Sequence, residues 1–386
     1  MKKIFISYKR ENVKDVKKLV EYLMIGGIRI WQDVDSLDLG NTESQIKKAI
    51  QEECSGIVFY ATKESIKSDF ILNVELREGA QRLRRDSNFK VIPVFEEDKA
   101  KVDDALRGVF HGNLSSLNGI IIKKYNSAFE YFRKLRKILV KNAFSQTSGE
   151  ITFSIMTRQR TPGNLGTTLD LDWSRPFSFN DFFSQKAWDD VIKPALSDIK
   201  DILLEFGIMD LKIFSKAHLT VGFAFGSIFN QITGFNFALD QRDEWWGTYQ
   251  EEDAYEYLDV KITPDDISSR EVAVNLSISR NIDYEKGEFI KQTNKSFRAE
   301  ILCTPKSGIS IVSIKNGSQA KSISKQICNT IRKTKENYGI TDFHIFSAIP
   351  LGLAYLIGSD LNACGRIHLY EYDKEESGKY FPSWIL

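Results

Sequence analysis

The chain has 386 residues, 42% hydrophobic and 27% charged, with a formal net charge of +1, which is enough for two or three globular domains without stapling. No apolar run approaches the roughly eighteen residues of a membrane span, and the start "MKKIFISYKREN" breaks with Ser7, Lys9 and Arg10 before a signal-peptide core forms, so a cytoplasmic protein is expected. Four scattered cysteines, Cys54, Cys303, Cys328 and Cys364, show neither C-x-x-C pairing nor histidines at zinc spacing, which argues against a disulfide framework or structural zinc and for buried reduced thiols.

Charge divides unevenly. Residues 1–145 carry 27 Lys and Arg against 20 Asp and Glu, and the remainder 26 against 32. Neither part is basic enough to hold long nucleic acid, although a local phosphate pocket is compatible with both. The opposite signs are a weak hint of head-to-tail contact between protomers.

In chain order, "KKIFISY" (2–8), "GIRIW" (27–31), "GIVFYA" (56–61), "KVIPVF" (90–95) and "GIIIKKY" (119–125) read as strands buried on both faces. Helical periodicity lies between them, as at Val13, Val16, Leu19, Val20 and Leu23, or Ile46 and Ile50. Strand and helix alternating in this way predict parallel pairing with right-handed crossovers, hence an α/β, flavodoxin-like sheet of five strands whose functional groups gather at the strand carboxyl ends. A basic helix over 128–144 closes this unit at about residue 145, and "SQTSGE" (145–150) reads as a linker.

The stretch "GIRIWQDVDSLDLG" (27–40) holds Asp33, Asp35 and Asp38. It is not an EF-hand, because the fifth position is Leu37 and the sixth Asp38 where the loop needs an acid and a glycine. It reads as a surface loop with carboxylates near the helix that begins around Asn41, with Asn41 or Thr42 as cap. Trp31, at the strand end, either covers a flat ring or plugs the core.

From 150 onward the sequence repeats itself. "GIMDLKIFSKAHLTVGFAFGSIF" from Gly207 and "GITDFHIFSAIPLGLAYLIGSDL" from Gly339 match at an offset of 132, with Gly207/Gly339, Asp210/Asp342, Ser215/Ser347, Leu219/Leu351 and Gly226/Gly358 in register. Each copy follows an amphipathic helix (about 186–205 and 318–337) and precedes a strand, "GFNFALD" or "GRIHLYEY". Each unit opens with a strand ending in arginine, "EITFSIMTR" or "EVAVNLSISR". Two α/β units, about 150–265 and 270–386, therefore predict one pseudo-twofold domain with a crevice where the strand ends meet. Such a crevice offers like sets of backbone amides to successive phosphates, which suits a cyclic oligonucleotide.

Three pieces, "IFISYKRE", "GIRIWQDVDSLDLGNTESQIKKAI" and "SGIVFYATKESIKSDFILNVELREGAQ", resemble in order the first-strand box, the BB loop and the catalytic-helix region of Toll/interleukin-1 receptor (TIR) domains, over nearly all of residues 1–145. The resemblance implies a BB loop that reaches a neighbouring TIR domain, and cleavage of NAD at the nicotinamide–ribose bond by one glutamate that follows a serine and an aromatic residue. Those positions fall on Ser68, Phe70 and Glu75 in "SDFILNVE", with Ser7, Tyr8, Trp31, Asp33 and Leu39 as further pocket residues. A carboxylate beside the ribose stabilises an oxocarbenium-like state, and the cationic leaving group needs little acid help. Two features depart from the family: Phe70 stands where tryptophan is usual, and the serine-to-glutamate interval is one residue longer. Glu78, one turn on, is the reserve candidate. The bland alternative for Glu75 is an exposed helix glutamate paired with Arg82.

Residues 150–386 resemble a SAVED domain, a cyclic-nucleotide sensor of anti-phage (CBASS) systems, through "LTVGFAFGSIF", "ALDQRDEWW", "FHIFSAIPLGLAYLIGSDL" and "HLYEYDKEESGKYFPSWIL". The resemblance implies two Rossmann-like (CARF-like) halves that bind a cyclic di- or trinucleotide, often cyclic tri-adenylate. No short motif fixes the contacts, so position selects them. Arg158 and Arg280 end equivalent strands; Lys216 and His218 follow Ser215; Ser347 and Pro350 occupy the matching turn. Trp245 or Trp246 would stack on a base, and Gly317 with Ser318 opens a helix as an anion site. Every one of these is also at home in a purely structural role.

The expected protein is thus a cyclic-nucleotide-activated NAD glycohydrolase. NAD is its substrate, no cofactor or metal is required, and a head-to-tail oligomer or filament completes the NAD site. The rivals are a TIR scaffold without catalysis and an enzyme that makes a cyclic ADP-ribose product.

Overall fold

The computed structural model describes residues 2–31, 42–111, 117, 119–147, 150–158, 166–174, 177–265, 269–374 and 377–386. The chain forms two compact units. One comprises Met1–Gly149 with Gly163–Pro176, the other Glu150–Pro162 with Phe177–Leu386.

In the first unit, β1 (Lys3–Ser7), β2 (Ile30–Trp31), β3 (Cys54–Ala61), β4 (Lys90–Phe95) and β5 (Ile120–Ile121) pair in parallel in the order β2-β1-β3-β4-β5. This is the flavodoxin-like order, which reverses direction between β1 and β3 and opens a crevice there. The helices are α1 (Val13–Ile25), α2 (Thr42–Lys48), α3 (Arg77–Arg85), α4 (Lys99–Arg107) and α5 (Ala128–Ser145). Asp98 caps α4 and Ser127 caps α5 through side-chain oxygens. Every residue of β3 is buried, as its unbroken apolar run requires of a strand covered on both faces. The expected strands at 27–31 and 119–125 shorten to two residues each. The lysines of "GIIIKKY" turn the chain into a 3-10 turn instead.

A later segment, β7 (Leu169–Asp172), belongs to this unit as well, although its sequence lies beyond the expected linker. Its backbone bonds to the α1–β2 turn (Asp170 N to Gly27 O, 3.2 Å), Asp170 pairs with Arg29 at 3.3 Å, and Trp173 Nε1 donates to Ile25 O at 2.9 Å. Gly27 has φ +84, and a Cβ there would stand about 3 Å from Leu169 and Leu171, so close approach and backbone conformation both call for glycine.

The second unit carries the repeat. β6 (Ile151–Met156), β8 (Asp210–Lys216) and β9 (Asn236–Gln241) pair in parallel, with β10 (Glu244–Gly247) antiparallel on β9. The later half has six strands, β11 (Leu258–Pro264), β12 (Glu271–Ser277), β13 (Ala299–Pro305), β14 (Asp342–Ala348), β15 (Arg366–Asp373) and β16 (Lys379–Ile385), in the order β11-β13-β12-β14-β15-β16. Strands β8 and β14 are twins at the offset of 132, and so are α7 (Leu219–Ile228) and α10 (Leu351–Asp360). Helices α6 (Lys193–Glu205) and α9 (Gly317–Tyr338) precede the twin strands, and α8 (Asp283–Thr293) follows β12. Strand β11, antiparallel on β13 at the sheet edge, is an addition that the repeat does not announce, because it has no counterpart among the described strands of the other half.

The halves meet through α7 and α10, whose residues are buried around nearly the whole circumference, the mark of a helix enclosed on all sides. A Cβ on Gly226 would stand 2.2 Å from Tyr355 O, and one on Gly358 would stand 2.2 Å from Phe223 O. Phe223 and Tyr355 are themselves twins, so this is one contact made twice across a local dyad. Backbone on the far side cannot rotate away. In an ordinary helix interior Gly→Ala adds up to about 1 kcal/mol of stability; here Gly226→Ala or Gly358→Ala reverses the sign and costs about 1–3 kcal/mol through overpacking, read from denaturant unfolding of the second unit.

Candidate functional sites

In the first unit, β1 ends at Ser7 and the chain after β3 passes through a 3-10 turn (Ser65–Lys67) into a helix. That helix does not begin as an α-helix. Ile71–Leu76 is a π turn, continued as α3. A π turn holds more residues per turn than an α turn and recurs at functional sites, so it takes up the extra residue of the serine-to-glutamate interval. Glu75 is thereby aimed at the switch point between β1 and β3. It is only 7% exposed, and Ser7 Oγ donates to its Oε2 at 2.6 Å. Arg82 instead pairs with Asp86 at 3.0 Å, which counts against the alternative of an exposed Glu75 paired with Arg82.

Glu78 points elsewhere. Its carboxylate accepts from Gln51 Nε2 at 2.8 Å, whereas Glu75 meets Ser7. Phe70 is 40% exposed beside the Glu75 turn, while Ser68 and Tyr8 are half-buried. Trp31 is 4% exposed, its ring stacked on Phe5 at 5.0 Å and 21°, so its side chain serves as the core plug. Asp33 and Leu39, with the other aspartates of that loop and Asn41, lie outside the described residues. The thiols of Cys54 and Cys303 are buried and pushed up to about 12 by burial, which leaves them protonated and inert.

In the second unit, the turns after the twin strands β8 and β14 lie at the starts of α7 and α10. The strand ends are tied symmetrically: Arg158 N donates to Lys216 O at 3.4 Å and Ser279 N to Ala348 O at 2.7 Å. This gathers Arg158, Lys216 and His218 at one turn and Ser347 and Pro350 at the other. Arg158 and Lys216 are exposed. His218 precedes α7, is half-buried, lies edge-on to Phe183 and shares a 2.8 Å contact between Nδ1 and Thr157 Oγ1. Burial, helped by the Arg158 charge, pushes its pKa down to about 4. Arg280, three residues past β12, bonds to Glu285 and lies over the Tyr372 ring at 4.5 Å.

Three expectations meet competing structural roles. Trp246 is buried in the core, packed where a Cβ on Gly352 would touch its ring, so it presents no face for a base. Trp245 is half-buried on β10, edge-on to Phe214 at 5.5 Å with the Lys212 ammonium 5.2 Å from its ring centre. Gly317 and Ser318 do open α9, but the chain caps that helix itself. Asn316 accepts from Gln319 N at 2.9 Å, Ser318 Oγ donates to Glu251 O at 2.7 Å, and the Gln250 carboxamide sits where a Gly317 Cβ would be.

Two residues at the dyad end carry no motif of their own in the sequence. Glu371 on β15 accepts from Thr220 N in the first turn of α7 at 2.6 Å, and Gln241 at the end of β9 accepts from Gly352 N in the first turn of α10 at 2.9 Å. Thr220 and Gly352 are twins, so each half caps the helix of the other. The available signal was the repeat: the offset of 132 marks both amides as needing partners, although it does not say which strand supplies them.

These two sites belong to an α/β protein in which a flavodoxin-like module precedes a pseudo-twofold pair of Rossmann-type units. Residues 4–130 match the TIR domain model, and residues 195–386 match the SMODS-associated and fused to various effectors sensor domain, SAVED. The chain carries a TIR domain followed by a C-terminal SAVED domain. It is 25% identical over 201 residues to CD-NTase-associated protein 4 of Enterobacter hormaechei subsp. hoffmannii (strain UCI 50), a match that spans 51% of this chain and 40% of that relative. Its fold is similar to that of the Acinetobacter baumannii Cap4 SAVED/CARF-domain containing receptor, solved with the cyclic trinucleotides 3'3'3'-cAAA and 2'3'3'-cAAA, at TM-score 0.51 and 14% identity over 91% of this chain and 86% of that one. No helix among the described residues is long and apolar enough to cross a membrane.

The depressed histidine is testable. With a folded pKa of about 4 against 6.5, the unfolded chain takes up the His218 proton first, so this group subtracts stability as pH falls from about 6.5 towards 4 and contributes nothing above that window. NMR titration of the His218 ring should show no protonation between pH 8 and 5; a midpoint near 6.5 contradicts the burial assigned to it.

Proposed function

We propose that the protein is an NAD glycohydrolase of anti-phage defence, switched on when a cyclic oligonucleotide occupies its SAVED domain. The observation that carries the reading is the buried Glu75–Ser7 pair at the switch point of a TIR sheet, in the same chain as a SAVED domain. Cleaving the nicotinamide–ribose bond builds positive charge on the ribose, and a carboxylate held in place stabilises it without reorganising. Ser7 is the positioning residue: its hydroxyl grips one carboxylate oxygen and so sets the direction in which the group meets the sugar. A low-dielectric surround strengthens that interaction.

The solved receptor of similar fold binds cyclic trinucleotides of adenine, which favours cyclic tri-adenylate as the activator here. The crevice at the starts of α7 and α10 suits it, with Arg158 and Lys216 answering phosphates. Binding would promote head-to-tail association, so that TIR domains of neighbouring protomers complete each other's NAD pocket; a heterologous contact of this kind extends as an open filament. NAD loss would then halt an infected cell.

Incubating the purified protein with NAD, with and without cyclic tri-adenylate, tests the reading. Nicotinamide release should depend on the messenger; no release with any cyclic di- or trinucleotide favours a non-catalytic TIR scaffold, and chromatography distinguishes free from cyclised ADP-ribose. Glu75→Gln should lower turnover by at least about a thousandfold, on the scale of removing a principal electrostatic stabiliser, while messenger-driven assembly by light scattering persists. Glu78→Gln should retain activity, and the opposite pattern would move the reaction to Glu78. Ser7→Ala should cut kcat by about ten- to a hundredfold with little change in KM, as expected of a group that orients the carboxylate.

A further inference from the structure

Helices α7 and α10 touch through twin residues. A Cβ on Gly222 would meet Ala354 and Tyr355, and one on Gly226 would meet Tyr355, Gly358 and Ser359. Contacts between residues at nearly constant offset mean that the helices run side by side in the same direction, so both N-termini emerge at the same end, beside the carboxyl ends of β8 and β14. Each N-terminus carries about half a positive charge. Two placed together in a buried setting repel unless an anion lies between or beside them.

The chain places one carboxyl group there. Glu371 is 4% exposed and accepts from Thr220 N at 2.6 Å, whereas the twin amide of Gly352 is held by the neutral Gln241 at 2.9 Å. The dyad is thus preserved in hydrogen bonding and broken in chemistry, with an ionisable carboxyl at one end and a neutral carboxamide at the other. Burial pushes the Glu371 carboxyl up, opposed by the backbone amides of Thr220 and Leu219 and by the Arg158 charge. Around it stand the exposed Arg158 and, from β16, Tyr380.

We propose that Glu371 is a built-in counter-anion that occupies the α7 end of the sensor crevice and sets the threshold for the messenger. A phosphate arriving at the α10 end meets a neutral cap. One arriving at the α7 end must displace or repel a carboxylate already there, so the two ends of a site that is otherwise symmetric respond unequally to one ring. This inference rests on the reading that the crevice takes a cyclic oligonucleotide, and it adds which residue restrains that binding.

The full-length protein and two variants test it by calorimetric titration with cyclic tri-adenylate. Glu371→Gln keeps an acceptor for Thr220 N, copies the chemistry already present at Gln241, and removes the charge, so it should tighten binding by about tenfold, the scale of one like-charge repulsion relieved in a partly buried site. Gln241→Glu adds a second carboxylate at the twin position and should weaken binding by a similar factor. Circular dichroism first confirms that each variant folds; if Glu371→Gln does not, Gln241→Glu carries the test. Wild-type binding that neither folded variant moves, or that Glu371→Gln weakens, overturns the role of Glu371 alone. Absence of binding by wild type and variants to every cyclic di- and trinucleotide overturns the reading of the crevice and the proposal with it.

Discussion

The second unit depends on a contact between two helices at the distance of bare backbone. Gly226 lies against Tyr355 and Ser359, and Gly358 against Phe223, so α7 and α10 approach where no side chain fits. Helix diameter with side chains is about 10 Å; removing the side chain at the crossing lets the axes close and brings two strand-to-helix turns to one end of the dyad. Those turns hold Arg158, Lys216 and His218 before α7 and Ser347 and Pro350 before α10. The reciprocal capping depends on that closeness, because Glu371 and Gln241 reach across to the other half's helix only when the helices are this near.

Much of this was legible in the sequence. The offset of 132 put the segments that form β8 and β14, and α7 and α10, in register, because the repeat keeps a glycine where backbone meets backbone and apolar residues where a helix is buried on all faces. The five strands of the TIR sheet were legible as runs of β-branched and aromatic residues. What stayed hidden was what a local pattern cannot encode. Strand β7 returns to the first unit after the chain has entered the second, and among the described residues β11 extends one half only. The same limit applies to individual side chains. Trp246 and Trp31 look like stacking platforms in the sequence, yet they are buried, because a large aromatic residue at a strand end satisfies core and ligand patterns equally.

Electrostatics separates residues that composition alone treats alike. Glu75 and Glu78 stand one turn apart, but one meets a buried serine hydroxyl and the other a glutamine carboxamide. Glu371 and Gln241 are isosteric acceptors for twin amides, and only one of them is ionisable. In each pair the distinguishing fact is the partner, which lies 27 to 151 residues away in sequence.

The wide turn at Ile71–Leu76 bears on how such proteins are catalogued. A helix that can switch between two pitches absorbs a single inserted residue without rotating its later turns, so the interval between a loop serine and its acidic partner becomes a drifting quantity even while their positions in space hold still. Searches keyed to a rigid interval would discard such chains as degenerate, and members with a lengthened interval should be sorted by where the acid ends up in three dimensions.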